Sequence, residues 1–483
     1  MKSSKTSPTL AVVFACAAFT FSLAVSAQAQ TVTFYDLTGT FGGTGWEPYS
    51  TVTQATDGNF YGTASGGIGY PGNIFRMTPS GEITNVYTFI CKQNICPNGT
   101  FPTTAPIMNS DGNLYGVTAT TFYKLTLSGS LKTLYAFGEP RNWQIPTGII
   151  LGSDGNFYGT TQYGGTPGNG SIFKITPAGQ FTQLYSFCSQ NTCTDGDTPL
   201  YPPVLGDDGN LYGTTLSGGS DANGVIYQLT PSGQYTVLHN FCDNSKPCPD
   251  GFNAGTLTKD ADGNFVGTTI EGGANYYGVV FKITPGGQYS VLYNFSKSAG
   301  AFGSPSSQLI LASDGNFYGT LDGGGSGSWA PKTRGAIYRV SPNGDFTPLQ
   351  AFCECGPQKG FNPIAGVFQG TDGNLYGTTA MGGLGPYTNE DWGYGTVFQF
   401  ASGLGPIVET VPVSAKAGKS VLILGNHLTG ATSVTFNGMP AEFTVESDTY
   451  IKAIVPTGAT TGTVSVVTPT GTLNSNPQFR VTE

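Results

Sequence analysis

The sequence predicts an all-β protein that consists of a seven-bladed β-propeller followed by an immunoglobulin-like β-sandwich. Three observations predict this architecture. A phrase of Asp-Gly-Asn followed by Phe or Leu recurs along the chain, the segments around it alternate β-branched and aromatic residues with turn residues, and the rhythm changes near the C-terminus. The expected boundaries are 1–29 for a signal peptide, 31–402 for the propeller and 405–483 for the sandwich.

The recurring phrase defines a repeat unit. Its seven copies begin at Asp57, Asp111, Asp154, Asp208, Asp262, Asp314 and Asp372, at intervals of 54, 43, 54, 54, 52 and 58 residues. A unit of this size is one supersecondary element that cannot bury its own apolar face. Neighbouring units must therefore stack on one another.

Each unit is predicted to form four short strands, which the fifth unit shows most clearly at 256–258, 264–269, 279–283 and 289–295. Asp-Gly between two strands predicts a two-residue hairpin turn with positive φ at both positions. A second tight turn is predicted by Thr-Pro-Ser-Gly and its variants, which begin at Thr78, Thr176, Thr230, Thr284 and Ser341.

Four-stranded meanders repeated around an axis are the blades of a β-propeller. The last unit ends at residue 400 without a fourth strand, and the segment 32–37 has the pattern of a fourth strand. We therefore expect the N-terminus to complete the last blade. An open solenoid is the alternative, because solenoids also repeat, although they usually carry distinct end caps.

The two tight turns are expected on one face of the disc and the longer, variable connections on the other. Gly-Gly opens six of these connections, and aromatic residues are frequent in them. Variable loops on a rigid scaffold commonly carry function, and aromatic platforms suit sugar rings. The candidate ligand-binding residues are Trp46, Tyr70, Trp143, Tyr163, Tyr276, Tyr277, Trp329, Tyr387, Trp392 and Tyr394. The alternative is that these side chains only cover the loops.

The recurrent Asp is interpreted as structural, because an Asp in a turn bonds its own backbone. The sequence Asp260-Ala261-Asp262-Gly263 resembles the start of a calcium loop but does not continue to the Glu that completes one. We expect no metal and no cofactor.

Residues 1–30 contain two lysines, an apolar run and Ala27-Gln28-Ala29, which is typical of a signal peptide cleaved after Ala29. A lipoprotein attachment at Cys16 is the weaker alternative. The remaining cysteines are predicted to form four local disulfides, since the count is even and the chain is expected to be exported. The pairs are Cys91 with Cys96, Cys188 with Cys193, Cys242 with Cys248, and Cys353 with Cys355. The last pair requires a strained ring, and zinc is a poor alternative without histidine ligands.

Charge excludes some partners. The predicted signal peptide contains two lysines and no acidic residue, so the mature chain has 18 basic and 29 acidic residues. Nucleic acid and anionic membrane are unfavourable partners for such a chain. No apolar run in the mature chain is long enough to span a bilayer, and we expect a monomer that is secreted, periplasmic or displayed at the cell surface.

The C-terminal segment carries Leu424-Gly425-Asn426, Val434-Thr435-Phe436-Asn437-Gly438 and Ile454-Val455-Pro456. These motifs resemble the IPT/TIG immunoglobulin-like family over the whole segment, which implies a β-sandwich. That family includes DNA-binding modules and surface receptors, but the segment has four basic residues against five acidic ones, so a spacer or docking module is expected. The repeats, with DGNFYGTT, Gly-Gly, IFKITPAG and LYSF around Asp154, resemble the bacterial GloVer tandem repeat over about 31–402. That resemblance implies an exported or surface-displayed protein. The chain departs from it at Val117 and Val266.

Binding or scaffolding is favoured over catalysis. His239 occupies a packing position of a fourth strand and His427 lies in the other domain, so no histidine-based catalytic group can form within the propeller. A polysaccharide hydrolase or lyase that uses two carboxylates stays an alternative, with Glu390, Asp391, Glu271 and Asp322 as candidate acids. The sequence thus predicts a carbohydrate- or surface-binding protein, with protein–protein interaction as a further alternative.

Overall fold

The structure is a computed structural model that describes residues 30–38, 47–66, 71–93, 95–138, 144–243, 247–296, 305, 307–322, 333–353, 359–385 and 393–482. The predicted signal peptide lies outside the described residues. The described part is built of strands, apart from one short 3₁₀ helix at Asn191–Cys193. No helix in this part of the chain has the length and apolar character needed to cross a lipid bilayer.

Strand β1 (Val32–Asp36) comes first, and the repeats follow it as consecutive antiparallel sheets. Sheet 1 contains β2 (Val52–Gln54), β3 (Phe60–Ala64), β4 (Asn73–Met77) and β5 (Ile83–Thr88). Sheet 2 contains β6 (Ile107–Met108), β7 (Leu114–Val117), β8 (Thr121–Leu125) and β9 (Leu131–Ala136). Sheet 3 contains β10 (Pro146–Leu151), β11 (Phe157–Thr161), β12 (Ser171–Ile175) and β13 (Phe181–Ser186). Sheet 4 contains β14 (Val204–Leu205), β15 (Leu211–Thr214), β16 (Val225–Leu229) and β17 (Tyr235–Asn240).

In sheet 5 the first strand is split into β18 (Phe252–Ala254) and β19 (Thr258–Lys259), which both pair with β20 (Phe265–Glu271), and β21 (Val279–Ile283) and β22 (Tyr289–Asn294) follow. Sheet 6 contains β23 (Ile310–Leu311), β24 (Phe317–Leu321), β25 (Thr333–Val340) and β26 (Phe346–Cys353). Sheet 7 contains β27 (Val367–Gln369), β28 (Leu375–Thr379) and β29 (Thr396–Phe400).

The N-terminal strand completes sheet 7, as predicted. Strand β1 pairs antiparallel with β29, with Val32 opposite Phe400 and Asp36 opposite Thr396. The first strands of most neighbouring sheets contact one another, including β2 of sheet 1 and β27 of sheet 7. These strands are therefore innermost, and the arrangement is that of a propeller-like fold. The blade count of seven stays a prediction of the sequence, which single-particle imaging would test.

The turn of each Asp-Gly-Asn phrase differs from the prediction. In the first unit the Gly58 N–H donates to Ala55 O at 2.9 Å, and the Ala55 N–H donates to Asn59 O at 2.9 Å. Gly58 has φ of +76°, whereas Asp57 does not have a positive φ. The prediction of two positive φ values was wrong. The hairpin uses a longer turn that ends in one left-handed glycine, which is the next commonest construction after the two-residue turn.

The recurrent Asp has the structural role that the sequence indicated. Asp57 Oδ1 accepts from the Asn59 N–H at 3.1 Å, and Oδ2 accepts from the Tyr61 hydroxyl at 2.8 Å. The same two bonds recur at Asp111, Asp154, Asp208, Asp314 and Asp372.

The fifth unit departs from this pattern because Val266 replaces the tyrosine. There Asp260 Oδ1 accepts from the Asp262 and Asn264 N–H groups at 2.9 and 2.8 Å, and Lys282 Nζ lies 2.8 Å from Asp260 Oδ2. Partial burial acts to raise the pKa of Asp260, but the bonds from Lys282 and Asn264 outweigh it and hold that pKa below its ordinary value. The apparent calcium loop is therefore a turn held by hydrogen bonds and an ion pair.

The glycine of each second strand makes room for an aromatic ring. A Cβ on Gly267 would lie 2.6 Å from Phe281 Cζ, and one on Gly377 would lie 2.4 Å from Phe398 Cζ. Corresponding rings of Phe or Tyr approach Gly62, Gly116, Gly159, Gly213 and Gly319. Neither Gly267 nor Gly377 has a positive φ, so space and not backbone conformation explains glycine there.

Threonines that follow these glycines join each sheet to the next. The Thr378 hydroxyl of sheet 7 donates to Ser50 O of sheet 1 at 2.7 Å, which closes the ring. Five further bonds of this kind, at 2.7 to 3.3 Å, run from Thr63, Thr160, Thr214, Thr268 and Thr320 to backbone carbonyls of the following sheet. In sheet 2 the corresponding residue is Val117, which has no hydroxyl to donate.

Aromatic contacts join the sheets further from the axis. The Phe60 and Tyr376 rings lie 4.1 Å apart across sheets 1 and 7, and the Tyr212 and Phe265 rings lie 4.2 Å apart across sheets 4 and 5. The outer strands stack parallel rings across the pairs Tyr135 with Phe181, Tyr185 with Tyr235, His239 with Tyr289, and Tyr293 with Phe346. His239 thus lies in the packing position that the sequence predicted.

The C-terminal part is a small β-sandwich. One sheet contains β30 (Glu409–Val411), β32 (Ser420–Leu424), β36 (Tyr450–Ile454) and β35 (Phe443–Val445). The other contains β34 (Met439–Pro440), β33 (Ser433–Phe436), β37 (Val464–Thr468) and β38 (Gly471–Asn474). Strands β31 (Ser414–Lys416) and β39 (Arg480–Thr482) pair in parallel beside them. Buried Val, Ile, Leu and Phe side chains of both sheets form the core.

The sandwich packs on the face of the propeller that carries the Asp-Gly-Asn turns, here called the turn face. The Thr449 hydroxyl donates to Thr56 O at 2.5 Å, and Arg480 donates from Nη1 to Gly206 O at 2.9 Å. The side-chain oxygen of Asn426 accepts from the Thr371 hydroxyl at 2.9 Å. Leu422, Leu424 and Val411 of the sandwich share an apolar cluster with Ala55 and Met108 of the propeller. One sheet of the sandwich therefore faces the ring.

Gly267→Ala should lower the free energy of unfolding by roughly 1–3 kcal/mol, because a Cβ in this packed strand displaces the Phe281 ring. The matched control is Gly286→Ala in the same sheet, where the nearest atom to an added Cβ is 3.7 Å away and φ is not positive. Urea denaturation followed by circular dichroism gives both values. Equal effects of the two substitutions would contradict the steric explanation.

Glu409→Gln should stabilise the protein at pH 8 and leave it nearly unchanged at pH 5. Glu409 pairs with Leu424 on the strand face that meets the propeller, and burial raises the pKa of its carboxyl to about 7. A carboxyl whose folded pKa is raised contributes stability below its unfolded pKa, and this contribution is lost as the pH rises through about 7.

The difference between Glu409→Gln and wild type at pH 8 is expected to reach at most about 3.5 kcal/mol, because the pKa rises from 4.5 to about 7 and each pKa unit corresponds to about 1.4 kcal/mol. Urea midpoints at the two pH values measure it. His427→Gln, which removes an exposed group in the same domain, serves as the control. A Glu409→Gln effect of the same size at both pH values would contradict this placement of the carboxyl.

Candidate interaction surface

The face opposite the sandwich carries the connections between second and third strands and those between sheets, and is here called the loop face. The polar contacts described between the sandwich and the propeller fall on the turn face. The sandwich thus takes up the turn face and leaves the loop face to solvent. The loop face is where the sequence predicted the site.

The Gly-Gly segments of the loop face pack on the connection that enters the same sheet. Gly219 N–H donates to Cys193 O at 2.9 Å, and Gly273 N–H donates to Cys248 O at 2.9 Å. A Cβ on Gly218 would lie 2.7 Å from Cys193 O. Glycine is required because backbone lies directly against backbone.

Three of the predicted disulfides are present, and each closes a short loop after a fourth strand. They join Cys91 with Cys96, Cys188 with Cys193, and Cys242 with Cys248. Disulfides are typical of secreted and surface proteins. Cys353 ends strand β26, but its side chain and the whole of Cys355 lie outside the described residues, so their pairing stays a prediction.

An Asp or Asn that follows each disulfide holds the loop against the outer strands, and sequence analysis missed this role. Asp195 Oδ2 accepts from the Tyr185 hydroxyl at 2.6 Å and from the Ser189 N–H and hydroxyl at 3.0 and 2.8 Å. Asp195 O accepts from the Tyr235 hydroxyl of the next sheet at 2.5 Å. Burial, and then the Asp195 carboxylate, raise the pKa of Tyr185.

The same arrangement recurs at the other two disulfides. His239 Nε2 lies 3.0 Å from Asp250 Oδ2, and Asp250 O accepts from the Tyr289 hydroxyl at 2.5 Å. In the first loop Asn98 Nδ2 donates to the Tyr87 hydroxyl at 2.6 Å. The sequence pattern that could have revealed this role is a Cys followed by any one residue, then Asp or Asn, and then Gly. These polar groups brace neighbouring sheets and leave the loop tips exposed.

Exposed apolar side chains concentrate on the loop face. Within the described propeller residues, all the large hydrophobic side chains that are exposed belong to its connections: Tyr49, Ile90, Ile95, Phe101, Tyr163, Tyr276, Tyr277 and Leu384. Ile95 is 69% exposed and Tyr276 is 65% exposed. The sequence pointed to the three tyrosines at 163, 276 and 277 and missed the others, because single aliphatic residues in loops give no pattern.

The exposed residues fall into two arcs around the ring. The aliphatic arc comprises Leu384 of sheet 7 and Tyr49, Ile90, Ile95 and Phe101 of the connections around sheet 1. The tyrosine arc comprises Tyr163 of sheet 3 and Tyr276 with Tyr277 of sheet 5. Tyr276 has φ of +65°, and the tip that holds it is closed by a bond from its N–H to Gly273 O at 3.3 Å.

The other predicted binding residues divide into two groups. Tyr394 is half-buried and packs against the cluster that contains Leu37, Val52 and Phe60, so covering the core is its observed role. The remaining ones lie outside the described residues: Trp46, Tyr70, Trp143, Trp329, Tyr387 and Trp392.

The structure describes two of the candidate catalytic acids, and they belong to different sheets. Glu271 is exposed, and its Oε1 accepts from Asn253 Nδ2 at 3.0 Å. Asp322 is half-buried and belongs to the neighbouring sheet. Glu390 and Asp391 lie outside the described residues. Within the part of the chain that is described, no group of three or more His, Cys, Asp or Glu residues is arranged to hold a metal ion.

Comparison with known families identifies both parts of the chain. The Gloeobacter/Verrucomicrobia repeat matches residues 118–328 and 253–432, which together cover more than half of the chain. The chain belongs to this repeat family. The IPT/TIG domain matches residues 406–481. Both resemblances seen in the sequence are thereby confirmed. Among curated proteins none matches the chain.

Solved structures with a similar fold are distant in sequence. The extracellular domain of a proposed one-component system from B. thetaiotaomicron is 12% identical, with a TM-score of 0.49, and covers 91% of this chain; the chain spans 47% of that domain. Hydrazine synthase from Kuenenia stuttgartiensis is 16% identical over 70% of this chain and 93% of its own, with a TM-score of 0.48. A gluconolactonase from Xanthomonas campestris is 10% identical over 60% and 82%, with a TM-score of 0.36. These similarities concern fold alone.

Asp195→Ala should destabilise the protein by roughly 1–3 kcal/mol, because the Tyr185 and Ser189 donors lose a buried acceptor. Asp262→Ala is the matched control, since this aspartate is exposed and accepts no hydrogen bond on its carboxylate within the described residues. Thermal unfolding at a fixed pH compares the two. If Asp262→Ala lowers the stability as much as Asp195→Ala does, the hydrogen bonds that Asp195 accepts do not have the stabilising role described above.

Proposed function

We propose that the protein is an exported binding or scaffold module that engages a partner at the cell surface through the loop face. The observation that supports this most is the concentration of exposed apolar side chains on that face, because scattered single residues are normal but a shared surface of them marks an interaction site. The predicted signal peptide and the three disulfides support export.

A protein partner is favoured for the aliphatic arc. Ile90, Ile95 and Leu384 have no ring to stack on a sugar, whereas aliphatic and aromatic side chains together suit the apolar centre of a protein interface. The first disulfide closes the loop that carries Ile95, which limits the conformational freedom that binding would otherwise remove.

A carbohydrate partner is the second candidate, and the tyrosine arc favours it. Tyr276 and Tyr277 belong to the connection that follows Glu271, and the exposed carboxylate of Glu271 with the half-buried amide of Asn253 could accept and donate hydrogen bonds to sugar hydroxyls. A carboxylate-dependent glycosidase or lyase stays a lesser alternative, whose acids would include Glu271.

The test compares three double variants of the secreted mature protein. Ile90→Ser/Ile95→Ser alters the aliphatic arc, Tyr276→Ala/Tyr277→Ala alters the tyrosine arc, and Met439→Ser/Val467→Ser removes two similarly exposed apolar residues from the sandwich as the control. Each protein is incubated with a panel of insoluble polysaccharides and, separately, with envelope protein of the producing bacterium. Depletion from solution and released sugar are measured together.

We expect salt-insensitive binding to envelope protein that falls roughly tenfold with the isoleucine variant and is unchanged in the control, since a few buried apolar residues usually dominate an interface. Polysaccharide binding lost only in the tyrosine variant would instead establish the carbohydrate candidate, and sugar release would establish the enzyme. Binding that depends on none of these loop residues would refute the loop face as the site.

A further inference from the structure

A cavity of about 380 Å³ lies between the propeller and the sandwich, on the side of the ring remote from the loop face. Apolar side chains of the inner strands line most of it, among them Leu151, Val204, Leu205, Leu257 and Leu311. The sandwich supplies the remaining wall, with Val413, Ser414 and Arg480. The volume falls within the range of small-molecule sites, which begins at about 300 Å³.

The cavity exists because the sandwich covers the inner strands unevenly. Its apolar residues Val411, Leu422 and Leu424 pack on Ala55 and Met108, which belong to sheets 1 and 2. Over sheets 4 to 6 the hydrogen bonds described include Arg480 with Gly206 O and Asn476 with Leu311 O, both at 2.9 Å. On that side the sandwich adds only Val413 and Pro477 as apolar wall residues, so the apolar ends of the inner strands are incompletely covered.

Two polar groups lie side by side on the sandwich wall. Ser414 and Arg480 are register partners in the parallel pair of β31 and β39. Ser414 is only 2% exposed, and its Oγ is buried without a hydrogen-bond partner among the described residues. A buried hydroxyl without a partner is uncommon, because its desolvation is not compensated. The same burial keeps this Oγ out of contact with the cavity, so Arg480, which is half-buried, is the polar group of the pair that a ligand can reach.

The charge at this wall is positive. Lys259 also lines the cavity, but its Nζ lies 2.5 Å from Asp207 Oδ1, which neutralises it. Arg480 makes no ion pair within the described part of the chain, and the one acceptor shown for its guanidinium is the Gly206 carbonyl. The other N–H groups of the Arg480 guanidinium are thus available for an anion. Arginine commonly binds a carboxylate through two parallel N–H groups.

We propose that this cavity binds a small amphiphile with an apolar chain and one carboxylate head group. The chain lies against the leucine and valine side chains of sheets 3 to 6, and the carboxylate accepts from the Arg480 guanidinium. Because the ligand contacts both the ring and the sandwich, its binding also stabilises their docking. This site is separate from the loop face and does not depend on the function proposed for that face.

Isothermal titration of the mature full-length protein with decanoate, kept below the concentration at which it forms micelles, tests the site. The neutral analogue decan-1-ol is the ligand control. We expect saturable one-site binding of decanoate to wild type, with affinity reduced roughly tenfold or more by Arg480→Met, which keeps the side chain's bulk. Leu205→Trp, which fills the cavity, should abolish binding.

Two variants serve as matched controls and should bind as wild type does. Lys452→Met removes an exposed positive charge from the same domain, and Met439→Trp enlarges an exposed residue of the sandwich that does not line the cavity. Decanoate should also raise the unfolding temperature of wild type and of Lys452→Met, but not that of Arg480→Met. This second readout shows that each variant is folded.

The proposal is overturned by an absence of saturable decanoate binding to wild type. It is equally overturned if decan-1-ol binds as tightly as decanoate, or if binding survives either Arg480→Met or Leu205→Trp unchanged.

Discussion

The ring depends on a hydrogen bond that crosses to the next sheet beside the axis and that every described sheet except sheet 2 makes. A threonine hydroxyl in the second strand donates to a backbone carbonyl where the first strand of the next sheet begins, and Thr378 to Ser50 returns the series to its start. The threonines that donate are buried, and leaving a buried hydroxyl unpaired costs about 1–3 kcal/mol. The preceding glycine admits the aromatic ring that fills the same sheet, and the preceding tyrosine contacts the next sheet. The Asp-Gly-Asn phrase and the tyrosine, glycine and threonine that follow it thus determine the turn, the packing within the sheet and the contacts with the next sheet.

The two faces of the disc take different roles as a consequence. Every Asp-Gly-Asn turn is short and regular, so the turn face offers repeated backbone carbonyls, and the sandwich binds Thr56 O, Gly206 O and Leu311 O there. The loop face has connections of unequal length, braced by disulfides and by Asp195 or its counterparts. A variable surface on a stiff support can change its partner without changing the fold.

The sequence was sufficient for the strands, the closing N-terminal strand and the sandwich, because each of these follows from a repeated or alternating pattern. It failed where two geometries fit the same residues, where side chains bond across a loop, and where the two domains meet. The turn geometry was wrong because Asp-Gly also fits a longer turn with a single left-handed glycine. Asp195 and Asp250 were overlooked because their partners, Tyr185 and His239, lie in the preceding strand and show no spacing rule. The face that the sandwich covers, and the cavity beneath it, depend on packing between domains that no local pattern records.

The account requires the sandwich to occupy the turn face, and a designed cross-link tests that requirement most directly. The Thr371 hydroxyl donates to the Asn426 side chain at 2.9 Å across the two domains. Replacing both residues with cysteine should produce a disulfide between positions 371 and 426 in the secreted protein, seen by non-reducing peptide mapping. A protein that retains the native disulfides at Cys91, Cys188 and Cys242 but leaves both introduced thiols free would contradict the docked arrangement.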